Sequence, residues 1–374
     1  MNETLYEGEA PLAKPMSEER ALPVRARGVG ALRTKRAGSH IELSALLTPV
    51  MERSDLASKA SERGRLHWLC QWRGGDASPC NGGYMTEHFL LKAVVERALT
   101  EDILYGDKTT DALFPRPILA AGNLLAKERL IVAGLNLFWS VFEVLDPSVR
   151  FEMLVAPGEE AKKGTCIGRL AGDGRALLKG ERTALNFLQH LCGIATLTRQ
   201  FVSRVAEATA IGAAPPAIVD TRKTIPGLRA LEKEAVLLGG GQNHRFHLGD
   251  LVLIKDNHIA LARGITNAVR ATRATLSHPL KIEVEVTNLK EVKEAIQVGA
   301  DIIMLDNMSI PAIESAVSLI RRATRLIPIE VSGGIHLENV ARVAQCGVDM
   351  ISVGLITHSA PAVDISLEIT RNES

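Results

Sequence analysis

The apolar residues Phe89, Leu90, Ala93, Val94, Ala98 and Leu99 recur at helical spacing, which predicts a helix over 88–99. The polar stretch 101–110 that follows reads as a turn. From 118 to 175 the apolar runs are short. Those at 121–128, 150–155 and 166–171 predict strands, punctuated by Pro157-Gly158, Lys163-Gly164 and Gly172-Asp173-Gly174. A long helix is predicted over 180–206. Short apolar runs then alternate with helical stretches. Strands are predicted at 217–219, 251–254, 282–286, 302–305, 329–331 and 350–353, and helices at 289–298, 311–324 and 337–345. Such alternation implies parallel strands joined by right-handed crossovers. A closed barrel and an open sheet both satisfy the pattern.

Residues 1–84 break this order. They are rich in Arg, Ser, Glu and Gly and show little periodicity, so they read as a disordered extension outside the folded region. Their basic stretch, Arg20, Arg25, Arg27, Arg33, Lys35 and Arg36, has a functional reading as a transit peptide or an arm for an anionic partner. Helical periodicity begins near Met85, and translation from Met85 is a further reading. Peptides from 1–84 in the mass spectrum of the native protein would exclude it.

The length of 374 residues suggests about two domains. A formal net charge of +1 supplies no global field toward nucleic acid or membrane, so neither is expected as a partner. No apolar run reaches the roughly 18–20 residues of a membrane span. The first ten residues carry three glutamates and no apolar core, which gives no support to a secretory signal. The cysteines, Cys70, Cys80, Cys166, Cys192 and Cys346, are odd in number and form no CxxC. That argues against a disulfide framework or a zinc site, and for a reducing, cytoplasmic location.

The chemistry collects at strand ends. Val219 leads into Asp220-Thr221-Arg222-Lys223, Ile254 into Lys255-Asp256-Asn257-His258, and Leu305 into Asp306-Asn307. Val331 leads into Ser332-Gly333-Gly334, and Val353 into Gly354. Carboxyl ends of parallel strands face the active site in α/β proteins, so these groups should share one mouth. The strand Ile282-Glu283-Val284-Glu285-Val286 alternates strictly, with both glutamates on one face. Inside a barrel such a glutamate needs a cation or a hydroxyl-bearing ligand, because an unpaired buried carboxylate is costly. Arg182, Arg222, Lys223, His244, Arg245 and Lys255 form a basic inventory suited to a highly anionic ligand. Glu285 and Asp306 suggest a divalent ion or sugar hydroxyls, and the glycine turns suggest a phosphate seat. The residues alone reach an anionic-substrate enzyme and do not name its reaction.

The blocks Asp-Thr-Arg-Lys-Thr-Ile-Pro-Gly-Leu-Arg-Ala-Leu-Glu-Lys (220–233), Gly-Gly-Gly-Gln-Asn-His-Arg (239–245) and Leu-Ile-Lys-Asp-Asn-His-Ile (253–259) resemble the quinolinate phosphoribosyltransferase family. The resemblance extends to Gly-Glu-Arg-Thr-Ala-Leu-Asn (180–186), Leu-Asp-Asn (305–307), Ser-Gly-Gly-Ile (332–335) and Ser-Val-Gly (352–354), and covers about 88–369. It implies a type II phosphoribosyltransferase fold: an N-terminal α+β sandwich-like domain (85–190, with a contribution from 356–374), then an incomplete TIM-like α/β barrel (191–355). It implies transfer of phosphoribosyl from 5-phosphoribosyl-1-pyrophosphate to quinolinate with decarboxylation and Mg²⁺. Carried over by motif, Arg222, Lys223, His244, Arg245 and Lys255 would hold the quinolinate carboxylates. Arg182 would reach them from another subunit of a homodimer or hexamer. Thr221 would lie beside them. Glu285 and Asp306 would face the ribose and the metal-bound pyrophosphate, with Lys255 beside them at the reacting centre. Ser332, Gly333, Gly334, Ser352, Val353 and Gly354 would seat the 5-phosphate. Cys192 stands where the pattern suggests serine, and 1–84 has no counterpart. Two alternatives share the scaffold: a related protein from molybdenum-uptake gene neighbourhoods, and a non-catalytic paralogue. The intact His-Arg and Lys-Asp-Asn-His blocks speak against the first, and Lys255, Glu285 and Asp306 against the second.

Overall fold

The structure, a computed structural model, describes residues 83–372 apart from 278–279 and 325–326, with side chains from Leu91 onward. The predicted extension, its basic stretch and the alternative start at Met85 lie outside the described residues, save that helix α1 (Gly83–Ile103) takes in the last of them. Val95 and Leu99 bury the α1 stripe. The stretch read as a turn is partly helix. Asp107 accepts from the Thr109 and Thr110 N–H groups and so caps α2 (Lys108–Leu113). A carboxylate at that position satisfies N–H groups the first turn leaves unpaired.

Four strands form an antiparallel sheet: β1 (Leu119–Ala126), β3 (Arg150–Met153), β5 (Cys166–Asp173) and β12 (Ile365–Arg371), in the order β12–β1–β5–β3. β2 (Leu130–Ile131) and β4 (Glu160–Ala161) pair beside it. Helix α3 (Leu135–Leu145) was not read from the sequence. It buries Leu135, Leu137, Phe138, Val141 and Phe142, and its polar residues Asn136, Ser140 and Glu143 fall at helical spacing on a face too narrow to stand out in the apolar run. The long helix α4 (Gly174–Ala208) starts earlier than 180 because Asp173 caps it through the Arg175 N–H. Within it, Gly193 lies so close to the returning chain that a Cβ would fall 2.2 Å from the Pro361 carbonyl oxygen. Cys192 beside it is fully buried. Its thiol donates to the Ala133 carbonyl and accepts the Ala133 N–H, each at 3.3 Å, and burial pushes it up to about 12.

The second sheet is parallel: β6 (Ala217–Val219), β7 (Val252–Ile254), β8 (Ile282–Val286), β9 (Ile302–Asp306), β10 (Ile329–Ser332) and β11 (Met350–Ser352). Their spatial order is β6–β11–β10–β9–β8–β7, so the first strand in the chain lies beside the last. This cyclic order decides for a barrel. The remaining gap, between β6 and β7, is partly filled by 242–245. The Gln242 N–H donates to Ile218 O at 2.8 Å, and the Arg245 guanidinium donates to Leu251 O at 2.9 Å. The barrel is therefore incomplete in its ladder, as expected for the fold class.

Between the strands run α5 (Arg229–Leu238), α6 (Asp256–Ala262), α7 (Ile265–Thr275), α8 (Leu289–Val298), α9 (Ile310–Ala323), α10 (Val340–Ala344) and α11 (Leu355–His358). The predicted helix 337–345 shrinks to α10. Asn339 spends its side chain on the preceding turn, accepting from His336 N at 2.9 Å and donating to Gly334 O at 2.8 Å.

Register shows which residues face inward. Glu285 pairs with Met304, Met304 with Glu330, Glu330 with Met350, and Asp306 with Ser332. Side chains alternate along a strand and register partners share a face. Glu283, Glu285, Asp306, Glu330, Ser332 and Ser352 therefore point into the barrel. Ile282, Val284 and Val286 point out, under the helices. All five residues of β8 are buried, both glutamates included.

Candidate active site

One cavity of about 500 Å³ opens at the carboxyl ends of the parallel strands. It is lined by Thr221, Arg222, Lys223, His244, Arg245, Lys255, Glu285, Asp306, Ser332, Gly333, Gly334 and Ser352 from the sequence reading. Lys255 starts α6, where its N–H donates to His258 Nδ1 at 3.0 Å. Its ammonium reaches Glu285 Oε2 at 3.2 Å. Burial raises the Glu285 pKa above the usual carboxylate value and Asp306 adds to the rise, while Lys255 opposes it.

Three residues given a binding role lie elsewhere, and the strand-end residues Asp220, Asp256, Asn257 and His258 also fall outside the lining. Arg182 is exposed on α4, outside the cavity of its own chain. Val353 follows Ser352 onto the outward face, is buried, and donates its N–H to Val219 O at 2.9 Å. Gly354 is outside the lining, and a Cβ there would lie 3.2 Å from both the His358 ring and Lys223 Cδ.

Other groups escaped the sequence reading. Leu253, Met304 and Glu330 also line the cavity, whereas Asn307, which lines it too, was placed at the mouth as a strand-end residue without a role. Glu283 and Glu330 are 0% and 1% exposed. Their carboxylates lie 3.2 and 3.5 Å from His244 Nε2. Glu283 was seen on its strand and not joined to a partner. The alternation of Ile329-Glu330-Val331-Ser332 repeats that of β8 and could have drawn attention to Glu330. Burial, reinforced by Glu330, pushes Glu283 up to about 7 against the opposing His244. Burial alone would pull the His244 imidazole down, but the two glutamates raise it to about 9. The Arg245 N–H, 2.7 Å from Nδ1, favours the neutral ring. Two carboxylates in a buried setting outweigh one peptide dipole.

Facing the helices, Asp220 meets Lys233 of α5. Both are essentially unexposed, with Oδ1 and Nζ 2.5 Å apart. Asp220 also accepts the His244 N–H at 2.8 Å, and Lys233 donates to the His244 carbonyl at 3.1 Å. The amide of Asn243, turned to satisfy its neighbours, donates to Asp220 Oδ2 and the Lys233 carbonyl. This buried pair holds the segment that carries His244 and Arg245 to the cavity. Arg222 and Arg245 are close enough that their charges oppose each other, and burial with that repulsion lowers the Arg245 pKa. Such crowded cations call for an anion.

Residues 194–368 match the C-terminal domain of quinolinate phosphoribosyl transferase, and residues 107–192 match its N-terminal domain. The chain belongs to the quinolinate phosphoribosyltransferase family. A family member from Synechocystis sp., named probable nicotinate-nucleotide pyrophosphorylase (carboxylating), is 45% identical over 278 residues, covering 74% of this chain and 92% of that protein. One of the same name from Methanocaldococcus jannaschii is 43% identical over 291 residues, covering 77% and 99%. The solved structure of the nicotinate-nucleotide pyrophosphorylase from Francisella tularensis superposes with a TM-score of 0.69 at 39% identity, covering 75% of this chain and 96% of that one. In this family member, no helix among the described residues is long and apolar enough to cross a membrane.

Proposed function

We propose that the chain transfers phosphoribosyl from 5-phosphoribosyl-1-pyrophosphate to quinolinate, releasing pyrophosphate and CO₂ and forming nicotinate mononucleotide, a step of de novo NAD biosynthesis. The observation that carries this reading is the meeting, in one cavity, of a cation cluster with a carboxylate pair and a glycine turn. Arg222, Lys223, His244, Arg245 and Lys255 offer the charge a dicarboxylate requires, and two bidentate guanidiniums fit its geometry. Departure of pyrophosphate builds positive charge at the ribose C1, which Glu285 and Asp306 stabilise. Thr221 closes the quinolinate side, and Ser332, Gly333, Gly334 and Ser352 seat the 5-phosphate. Loss of the 2-carboxylate as CO₂ leaves an in-plane electron pair on ring carbon 2, which the positive charge of the adjacent pyridinium nitrogen stabilises; a proton from solvent then completes the nicotinate ring, and no nucleophilic side chain is needed.

Glu285 and Asp306 also suit a hard divalent cation, since the Asp306 carboxylate opposes the charge on Glu285. Mg²⁺ held there would neutralise the leaving pyrophosphate. Arg182, exposed and outside its own cavity, fits a homodimer or hexamer in which it completes the neighbour's site. Cys166, Cys192 and Cys346 are free thiols, in keeping with a cytoplasmic enzyme.

The test is a quinolinate assay. Consumption that requires both the phosphoribosyl donor and Mg²⁺, with CO₂ released, is expected. Equal use of nicotinate would remove the argument for a dicarboxylate pocket. Mixing Arg182→Ala with Lys255→Ala protein should restore part of the activity each lacks alone. Mixed oligomers without recovery would count against the shared site.

The pocket should also titrate. His244 stays charged up to about pH 9, so quinolinate affinity should fall as pH rises through that value. By linkage, the raised pKa stabilises the fold fully below pH 6.5, and this contribution fades on the way to about 9. A His244→Gln variant should have weaker quinolinate binding and a flatter profile. An unchanged profile would assign the titration to another group.

A further inference from the structure

Asn307 lines the cavity between Asp306 and the Gly333 turn and has no part in the roles above. Its φ is 52°, a left-handed conformation shared by only one other non-glycine among the described residues, Arg263. Its N–H donates to Ser332 O at 2.9 Å, tying the end of β9 to the end of β10. Its side-chain amide donates to Asp306 Oδ2 at 2.7 Å. The other end of the side chain presses on Gly333, where a Cβ would lie 2.4 Å from Asn307 Oδ1 and 2.8 Å from Asn307 N. Gly333 itself has φ +87°, so only glycine fits that contact.

A left-handed residue needed only for the turn would be served better by glycine, which adopts φ > 0 without steric cost. Asn307 is exposed, so core packing does not explain its side chain. The side chain instead fixes one Asp306 oxygen in direction and leaves Oδ1 free to face a ligand. Strained, over-determined backbone of this kind collects where a ligand is clamped.

We propose that Asn307 is a positioning residue. It holds the Asp306 carboxylate and the Gly333 turn at a fixed separation, and so sets the span between the pyrophosphate and 5-phosphate ends of the bound phosphoribosyl donor. This rests on the donor reading given above.

Asn307→Gly keeps the left-handed backbone and removes the amide. Asn307→Asp keeps the shape and sets a like charge against Asp306. The full chain is compared by calorimetric titration with 5-phosphoribosyl-1-pyrophosphate plus Mg²⁺, without quinolinate, and then with quinolinate alone. Both variants should bind the donor roughly tenfold more weakly or worse, the scale of one hydrogen bond to a charged group. Quinolinate affinity should stay within about twofold, and the KM for the donor should rise more than that for quinolinate. Gly333→Ala, which pushes Asn307 away, should weaken donor binding as well. Unchanged donor affinity in both Asn307 variants, or equal losses for the two ligands, would overturn the proposal. Failure of the unaltered chain to bind the donor at all would instead refute the donor reading itself.

Discussion

Glu285→Gln should lower kcat by roughly 10²–10³-fold, the cost of removing one preorganised electrostatic contact to developing charge. Gln keeps the size and a hydrogen-bonding oxygen but cannot offset the positive charge that grows at the ribose C1. The same substitution should leave the melting temperature unchanged or slightly higher at pH 8. Burial raises the Glu285 pKa in the folded state, so folding disfavours its ionised form, and that penalty grows as pH rises above 4.5. The neutral amide removes the penalty and leaves behind Lys255, which is solvent-exposed and tolerates the loss of its partner. Steady-state kinetics with both substrates saturating, alongside a thermal melt, separate the two effects. A variant that loses activity and stability together would show Glu285 to be a structural residue.

Lys233→Met should destabilise the fold by about 3–5 kcal/mol, the usual result of leaving one charge of a buried pair without its partner. Asp220 would keep the His244 N–H and Asn243 but lose the cation that offsets its burial. Neutralising both groups, in Asp220→Asn with Lys233→Met, should recover much of the loss, because no buried charge then remains. Urea denaturation of the single and double variants measures this directly. The double variant should still bind quinolinate weakly, since Lys233 also donates to the His244 carbonyl and Asp220 accepts the His244 N–H. Full recovery of quinolinate affinity would show that the pair stabilises the fold without aiming His244 and Arg245.

Much of this architecture was legible in the chain. The strands at 217–219, 282–286, 302–305 and 329–331 are all present within a residue or so. Alternation over 282–286 correctly put both glutamates on one face, because side-chain parity is a local property. Errors arose where a side chain competed with the local pattern. Asp107 turned a polar stretch into a helix, and Asn339 shortened α10. The buried helix α3 was missed because only Asn136, Ser140 and Glu143 interrupt its apolar run, although their i, i+4, i+7 spacing is helical.

The site divides along the same line. By itself the sequence determined which residue types end each strand, and that these ends carry cations, carboxylates and glycines. It could not decide whether β6 meets β11, since a short apolar strand carries no mark of its neighbour. That contact curls the sheet and converts a row of strand ends into a ring. Only the ring brings Glu283 and Glu330 together under His244, although long stretches of chain separate the three. Parity alone turns Asp220 outward to Lys233, and the direct pairing of β9 with β10 presses Gly333 against Asn307. Parity fixed the direction of each side chain, and closure of the barrel decided which side chains meet.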